Sequence, residues 1–231
     1  MSDYIDQKER EYQNEIVKLF CDELKYDYLG KLQYAKSKTT LDNGEKNSPI
    51  IDSEVRRFLS SPSNHYTDFQ IEEALRILKE ETRLPDKKRG ILSDTSNSVY
   101  ERLITHIAIQ PDAEHKHENV TLFDFDNPFT NHFAIAEEVS YIDPLTGKHS
   151  RPDIVVYVNG IALCVIELKR STVSLEEGIK QSLSNELDLI PSFFTTTQFT
   201  VAASDKNGFK YATILLSLIH ISEPTRHSLI S

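Results

Sequence analysis

Four charged residues bracket the most apolar part of this chain. Arg151-Pro152-Asp153 precedes the run IVVYV, and Glu167-Leu168-Lys169 ends the run IALCVI that follows Asn159-Gly160. Charge at the end of a buried run is costly unless it is paired or binds something. Side chains alternate along an extended strand, so Glu167 and Lys169 share a face. Two carboxylates and a lysine converging at a sheet edge suit a hard divalent cation. Mg2+ takes oxygen ligands and keeps several waters, so one or two carboxylates plus a substrate phosphate complete its shell. Such a cation neutralises a scissile phosphate and lowers the pKa of an attacking water. Lys169 would orient that water or stabilise the developing charge.

This chemistry depends on strand register. If Asn159-Gly160 is a regular two-residue hairpin loop, Asp153 falls opposite Ile166 and Glu167 points to the other face. A three-residue loop over 158–160, with Gly160 in the left-handed region, sets Asp153 opposite Val165 and on the face of Glu167. The expectation is therefore a three-residue loop, or a bulge elsewhere in the pair. A two-residue hairpin without a bulge excludes the site.

The elements that would position these residues follow from periodicity. Residues 3–29 read as one helix, with Ile16, Leu19, Phe20 and Leu24 at helical spacing and Gly30 as a stop. Short helices are expected at 53–59 and 99–106, and a clearer one at 68–82 with Ile71, Ala74, Leu75 and Leu78 on one face. Residues 36–49 and 84–98 read as polar connections. After Pro111 the texture changes to strands, at 120–125, 133–142, 154–158, 161–168, 199–203 and 210–215. A helix over 175–189 opens on the capping box Ser174-x-x-Glu177 and stops at Pro191. There is no internal repeat.

Composition sets outer bounds. The chain has 231 residues, 39% hydrophobic and 27% charged, which is ordinary globular material with room for a core. Two cysteines, Cys21 and Cys164, exclude a disulfide framework and a cysteine zinc cage, and both thiols are expected free in a reducing cytoplasm. No stretch is long enough for a membrane span, and the start has no secretory apolar region. Acids outnumber bases 36 to 26, for a net charge of −10, which argues against coating nucleic acid by bulk charge. The charge is uneven: residues 110–145 are strongly acidic, whereas the proposed site lies in a nearly balanced stretch.

The Pro152-Asp153 and Glu167-x-Lys169 pattern resembles the PD-(D/E)xK nuclease superfamily. The surrounding text is more specific. FDNP at 125–128, Asn131, RPDIVVYVNGIALCVIELKRS at 151–171, GIKQSLSNE at 178–186 and GFKYATI at 208–214 resemble the amino-terminal nuclease domain of type I restriction enzyme R subunits. The resemblance covers most of residues 1 to about 214 and is strongest from Asp124 onward. It implies an α/β restriction-endonuclease-like core, a mixed sheet flanked by helices, with a mostly helical amino-terminal elaboration. Residues 1–118 would be that helical part, 119–215 the nuclease core, and 216–231, which looks like vector-derived read-through, an added tail.

The resemblance also implies Mg2+-dependent cleavage of double-stranded DNA, as in a type I site-specific deoxyribonuclease. Asp153 and Glu167 match the metal-binding acids and Lys169 the catalytic lysine, with the Leu168 backbone carbonyl as a further metal ligand. Glu15 matches an acid that the first helix often adds. Gln181 matches a glutamine of the following helix, although Asn185 stands where a tyrosine is frequent. ATP would enter only through motor domains of a longer protein, since this chain has no GxxxxGK[ST] phosphate loop. Methyltransferase and specificity subunits would be partners of the full-length enzyme. The rival readings are a repair or recombination nuclease of the same superfamily and a non-catalytic module that docks or holds DNA.

Other charged strings read as structure. Glu176 and Glu177 suit a helix start, and Asp124 and Asp126 a turn around Asn127-Pro128. His115-Lys116-His117-Glu118 lacks a third ligand in spacing. Lys87-Lys88-Arg89 and Arg56-Arg57 read as solvated charge, and Cys164 as a small core residue.

Overall fold

A computed structural model describes residues 2–32, 48–84, 92–110, 117–169, 188–206 and 208–213, with Leu175 and Ile179. The chain opens with α1 (Ser2–Lys18), which runs into one π turn at Leu19–Glu23. The expected single helix over 3–29 ends there, because Lys25 turns left-handed at φ 62° and the chain leaves as a strand, β1 (Asp27–Lys31). Three helices follow: α2 (Asp52–Leu59), α3 (Asp68–Glu81) and α4 (Leu92–Ile104). In α3, Thr67 and Gln70 form a capping box at its start, and the four expected apolar residues are buried.

The strands are β2 (Ile107–Ile109), β3 (Glu118–Val120), β4 (Phe133–Glu137), β5 (Tyr141–Ile142), β6 (His149–Ser150), β7 (Ile154–Val158), β8 (Ile161–Leu168), β9 (Phe199–Ser204) and β10 (Gly208–Thr213). Six of them form one mixed sheet in the order β1-β4-β7-β8-β9-β10; β2-β3 and β5-β6 are separate ribbons. The pairings β1-β4 and β8-β9 are parallel and the others in the sheet antiparallel. This is an α/β, nuclease-like arrangement. The sheet draws β1 from the amino-terminal part, so a boundary at residue 118 does not separate helices from sheet. Residues 216–231 lie outside the described residues.

Alternation along the strands sorts the core into two faces. Ile135, Ile154, Val156, Ile166, Leu168 and Ala203 meet α1 and its π turn through Tyr12, Ile16, Val17 and Phe20. Val155, Tyr157, Ala162 and Val165 meet Leu92, Ile190, Phe193 and Phe194 on the other face. The helices α2 to α4 and the β2-β3 ribbon build a third cluster, which reaches the sheet at Ile161.

The β7-β8 hairpin does close on two residues, Asn159 and Gly160, with Val158 opposite Ile161. Both loop residues have positive φ, 50° and 80°, the geometry that matches strand twist. The register then shifts: Val156 pairs with Cys164 and Tyr157 with Ala162, leaving Leu163 as the extra residue of a bulge. Of the two arrangements expected, the bulge is the one found. Glycine is required at 160 for a second reason, since a Cβ there would lie 2.6 Å from the Glu54 Cβ and 2.8 Å from the Ile51 carbonyl oxygen.

Candidate active site

Parity decides whether the acids can act together. Beyond the bulge, Ile154 lies opposite Ile166, so the next pair in that register is Asp153 with Glu167. Glu167 and Lys169 share their face of β8 with the buried Val165. All three charged side chains thus converge at the end of the sheet away from the hairpin loop.

Asp153 is partly buried, and its Oδ2 accepts the Leu168 backbone N–H at 2.8 Å. A residue in an antiparallel strand directs its N–H and C=O to the same neighbour, so the Leu168 carbonyl also lies on the Asp153 side. Lys169 Nζ is 3.6 Å from Glu167 Oε2, with only 19% and 22% of their side chains exposed. That separation is an ion pair without a direct hydrogen bond. The Lys169 backbone N–H donates to the Ala203 carbonyl, which ties the strand end to β9.

These groups offer oxygen donors and one ammonium. A carboxylate oxygen has more than one lone-pair site, so the bond from Leu168 does not exhaust Asp153. Among the described residues no three of His, Cys, Asp and Glu come together as a metal cage. The donor set therefore fits a cation that keeps most of its shell as water, as Mg2+ does, and does not fit a structural zinc site.

The other expected site residues fall differently. Glu15 is exposed on α1, whose apolar residues cover the opposite face of the sheet. Its carboxylate, with that of Asp205, helps push the Tyr12 hydroxyl pKa up, although burial is the larger cause. Among the described residues Glu15 does not join Asp153 and Glu167 in a three-acid group. Gln181 lies outside the described residues, as do most of residues 175–189.

Two acids passed over in the sequence are Glu137 and Glu138, which interrupt the apolar run FAIAEEVSYI. Glu137 is 3% exposed, on the α1 side of β4, and its carboxylate accepts from Gln13 Nε2 at 2.7 Å and from the Tyr28 hydroxyl. Burial and this hydrogen bond push the Tyr28 pKa well up. Glu138 adopts φ 48°, and its N–H donates to the Asp153 carbonyl at 2.8 Å. A charged pair inside an apolar run was the available signal.

The FDNP string also has a definite place. Asp124 accepts from the Asn127 N–H and the Thr130 hydroxyl, while Asn131 Nδ2 donates to the carbonyls of Asp124 and Pro128. These bonds replace the strand expected at 120–125 by a fixed turn, since side chains take the backbone groups a ladder would use. Asn159 joins it by donating to Asn131 Oδ1 and the Leu122 carbonyl. The motif therefore braces the hairpin loop, at the end of the sheet opposite the acids.

The mixed six-stranded sheet with its helices is an α/β, nuclease-like fold, and it gathers an Asp, a Glu and a Lys at one end. The type I restriction enzyme R protein N terminus model matches residues 6–214. The chain belongs to that family of restriction endonuclease domains. It is also 30% identical over 164 residues to a protein of Methanocaldococcus jannaschii provisionally named a type I restriction enzyme MjaIXP endonuclease subunit. That match covers 67% of this chain and 15% of the relative. The chain thus spans a small part of the length of the relative it matches. No helix among the described residues is long and apolar enough to cross a membrane.

Proposed function

We propose that this chain is the cutting module of a type I restriction R subunit and hydrolyses phosphodiester bonds of double-stranded DNA with Mg2+. The observation that carries the reading is the bulged register of β7 and β8, which puts Asp153 opposite Glu167 with Lys169 on the same face. Asp153, Glu167 and the Leu168 carbonyl would hold the cation. When bound it would supply charge neutralisation at the phosphate and a water of lowered pKa. Lys169 orients that water and stabilises charge developing on the phosphate oxygens. The Leu168 N–H keeps the Asp153 carboxylate aimed at the strand end.

ATP acts only through motor domains of a longer polypeptide. Methyltransferase and specificity subunits supply the target in the assembled enzyme, in the cytoplasm, where the reduced thiols of Cys21 and Cys164, which form no disulfide, are stable.

The test is Mg2+ titration by calorimetry together with plasmid nicking, for the unsubstituted chain and Asp153→Ala. Binding that Asp153→Ala abolishes is the expected result. If the unsubstituted chain takes up no Mg2+ and the variant is indistinguishable from it, the reading fails.

A further inference from the structure

The acid end of the sheet carries a second charged group that the proposed chemistry does not use. Glu138 accepts Lys31 Nζ at 2.6 Å on one carboxylate oxygen and Arg151 Nη1 at 3.0 Å on the other. Only 15% of the Glu138 side chain is exposed, against 42% for Lys31 and 51% for Arg151. The acid is the recessed member, and the side chains of both cations are about half exposed.

Glu138 holds this place in an uncommon backbone conformation. Its φ of 48° is left-handed, and the turn is fixed by two bonds to β7: Glu138 N–H to the Asp153 carbonyl and Val139 N–H to the Pro152 carbonyl. A straight continuation of β4 would set Glu138 opposite Asp153, which is itself opposite Glu167, giving three carboxylates in one row. Instead its carboxylate takes the two cations. A non-glycine residue held left-handed beside a site is a feature that the surrounding structure must over-determine.

The order across the sheet is β1-β4-β7-β8, so Lys31, Glu138, Arg151 and Lys169 follow one another along a single end. Three strand spacings of about 4.8 Å make this line roughly 14 Å long. Phosphates of one DNA strand advance about 3.4 Å each along the axis while winding around it, so a line of this length spans more than one phosphate.

We infer that Lys31 and Arg151 bind backbone phosphates flanking the scissile one, and that Glu138 is the positioning residue that holds the two cations in line with it. This rests on the nuclease reading, because the scissile phosphate is what fixes the line. It also locates the contacts of a strongly acidic chain: a short cationic row beside the site in place of bulk charge.

The test is binding of a short duplex by the full chain in EDTA, which separates holding from cutting, read as log K against log salt. Losing one phosphate contact flattens that slope by about 0.9. Arg151→Ala and Lys31→Ala should each do so. Arg76→Ala on α3, whose guanidinium pairs with Glu73 and Glu80 remote from this end, should not. Glu138→Gln should keep the slope of the unsubstituted chain but, in nicking assays with Mg2+, lower kcat at unchanged KM. Equal flattening by Arg76→Ala, an unchanged slope in both cation variants, or no duplex binding at low salt overturns the inference. Those results leave Mg2+ uptake at Asp153 untouched, so failure here is distinct from failure of the nuclease reading.

Discussion

The two ends of the β7-β8 hairpin treat polar groups in opposite ways. At the loop end, Asn159, Asn131, Asp124 and the Leu122 carbonyl satisfy one another, and Asn159 is 1% exposed. At the acid end, Glu167 and Lys169 stand 3.6 Å apart, and Arg151 and Lys31 reach into solvent. A closed network raises the cost of removing any member, because its partners are left buried and unpaired. Partly solvated charges do not impose that cost, and they are the groups available to a ligand. The comparison teaches that the most distinctive polar strings of this sequence are used differently: FDNP closes a braced network, and PD with ExK keeps the partly solvated charges on which the proposed chemistry rests.

The sharpest test of that division is Glu167→Gln. It removes charge but little volume at the solvated end, so DNA nicking should fall at least about 100-fold with the thermal midpoint nearly unchanged. A large loss of stability without a change in nicking would reverse the comparison. Gly160→Ala should do the opposite. A methyl placed 2.6 Å from the Glu54 Cβ, at φ 80°, should cost about 2–4 kcal/mol in denaturant unfolding while the folded fraction keeps its Mg2+ affinity. Asn159→Ala strips three hydrogen bonds from the same loop, to Leu122, Asn131 and His132, and should cost about 2–3 kcal/mol by the same measurement.

A smaller effect should appear in the pH dependence of stability. His132 follows the braced turn and sets Nε2 at 2.6 Å from Asp27 and Nδ1 at 3.0 Å from Glu54. The Glu54 carboxylate is the main reason that the His132 pKa is raised, with Asp27 adding to it and burial opposing. A raised histidine contributes stability that is complete below its ordinary value of 6.5 and is lost as pH rises through the higher folded value. Glu54 is lowered, chiefly by His132, so its contribution is present above its ordinary 4.5 and is lost as pH falls through the lower folded value. Urea midpoints should thus be highest between these limits and decline on the alkaline side. His132→Gln should remove that alkaline decline and leave nicking at constant pH unchanged.

Much of the frame was legible in the sequence. The helices 53–59 and 68–82 match α2 and α3, and the runs 154–158 and 161–168 match β7 and β8, because strong periodicity and the Asn-Gly turn are local signals. Strand β1 was hidden inside an apparent helix, since Tyr28 and Leu29 fit either element and only parallel pairing with β4 decides. The expected strand at 120–125 gave way to the Asp124 turn for a related reason: its partners, Asn131 and Asn159, are distant in the chain.

The sequence by itself determined that an Asp and a Glu-x-Lys would end two adjacent apolar strands, because alternation and burial act over a few residues. Tertiary structure decided whether they meet. One extra residue, Leu163, restores the parity that a two-residue loop would have broken. That residue is held out of the β7 ladder by contacts from far along the chain, with the Gln198 N–H on the Leu163 carbonyl and the Thr196 hydroxyl on that of Ala162. Tertiary structure likewise chose the face that α1 covers, and so where Glu15 lies, and it gathered Lys31, Glu138 and Arg151 from three separate segments. Face and register are properties of the assembled sheet, and a one-residue slip moves every side chain across it.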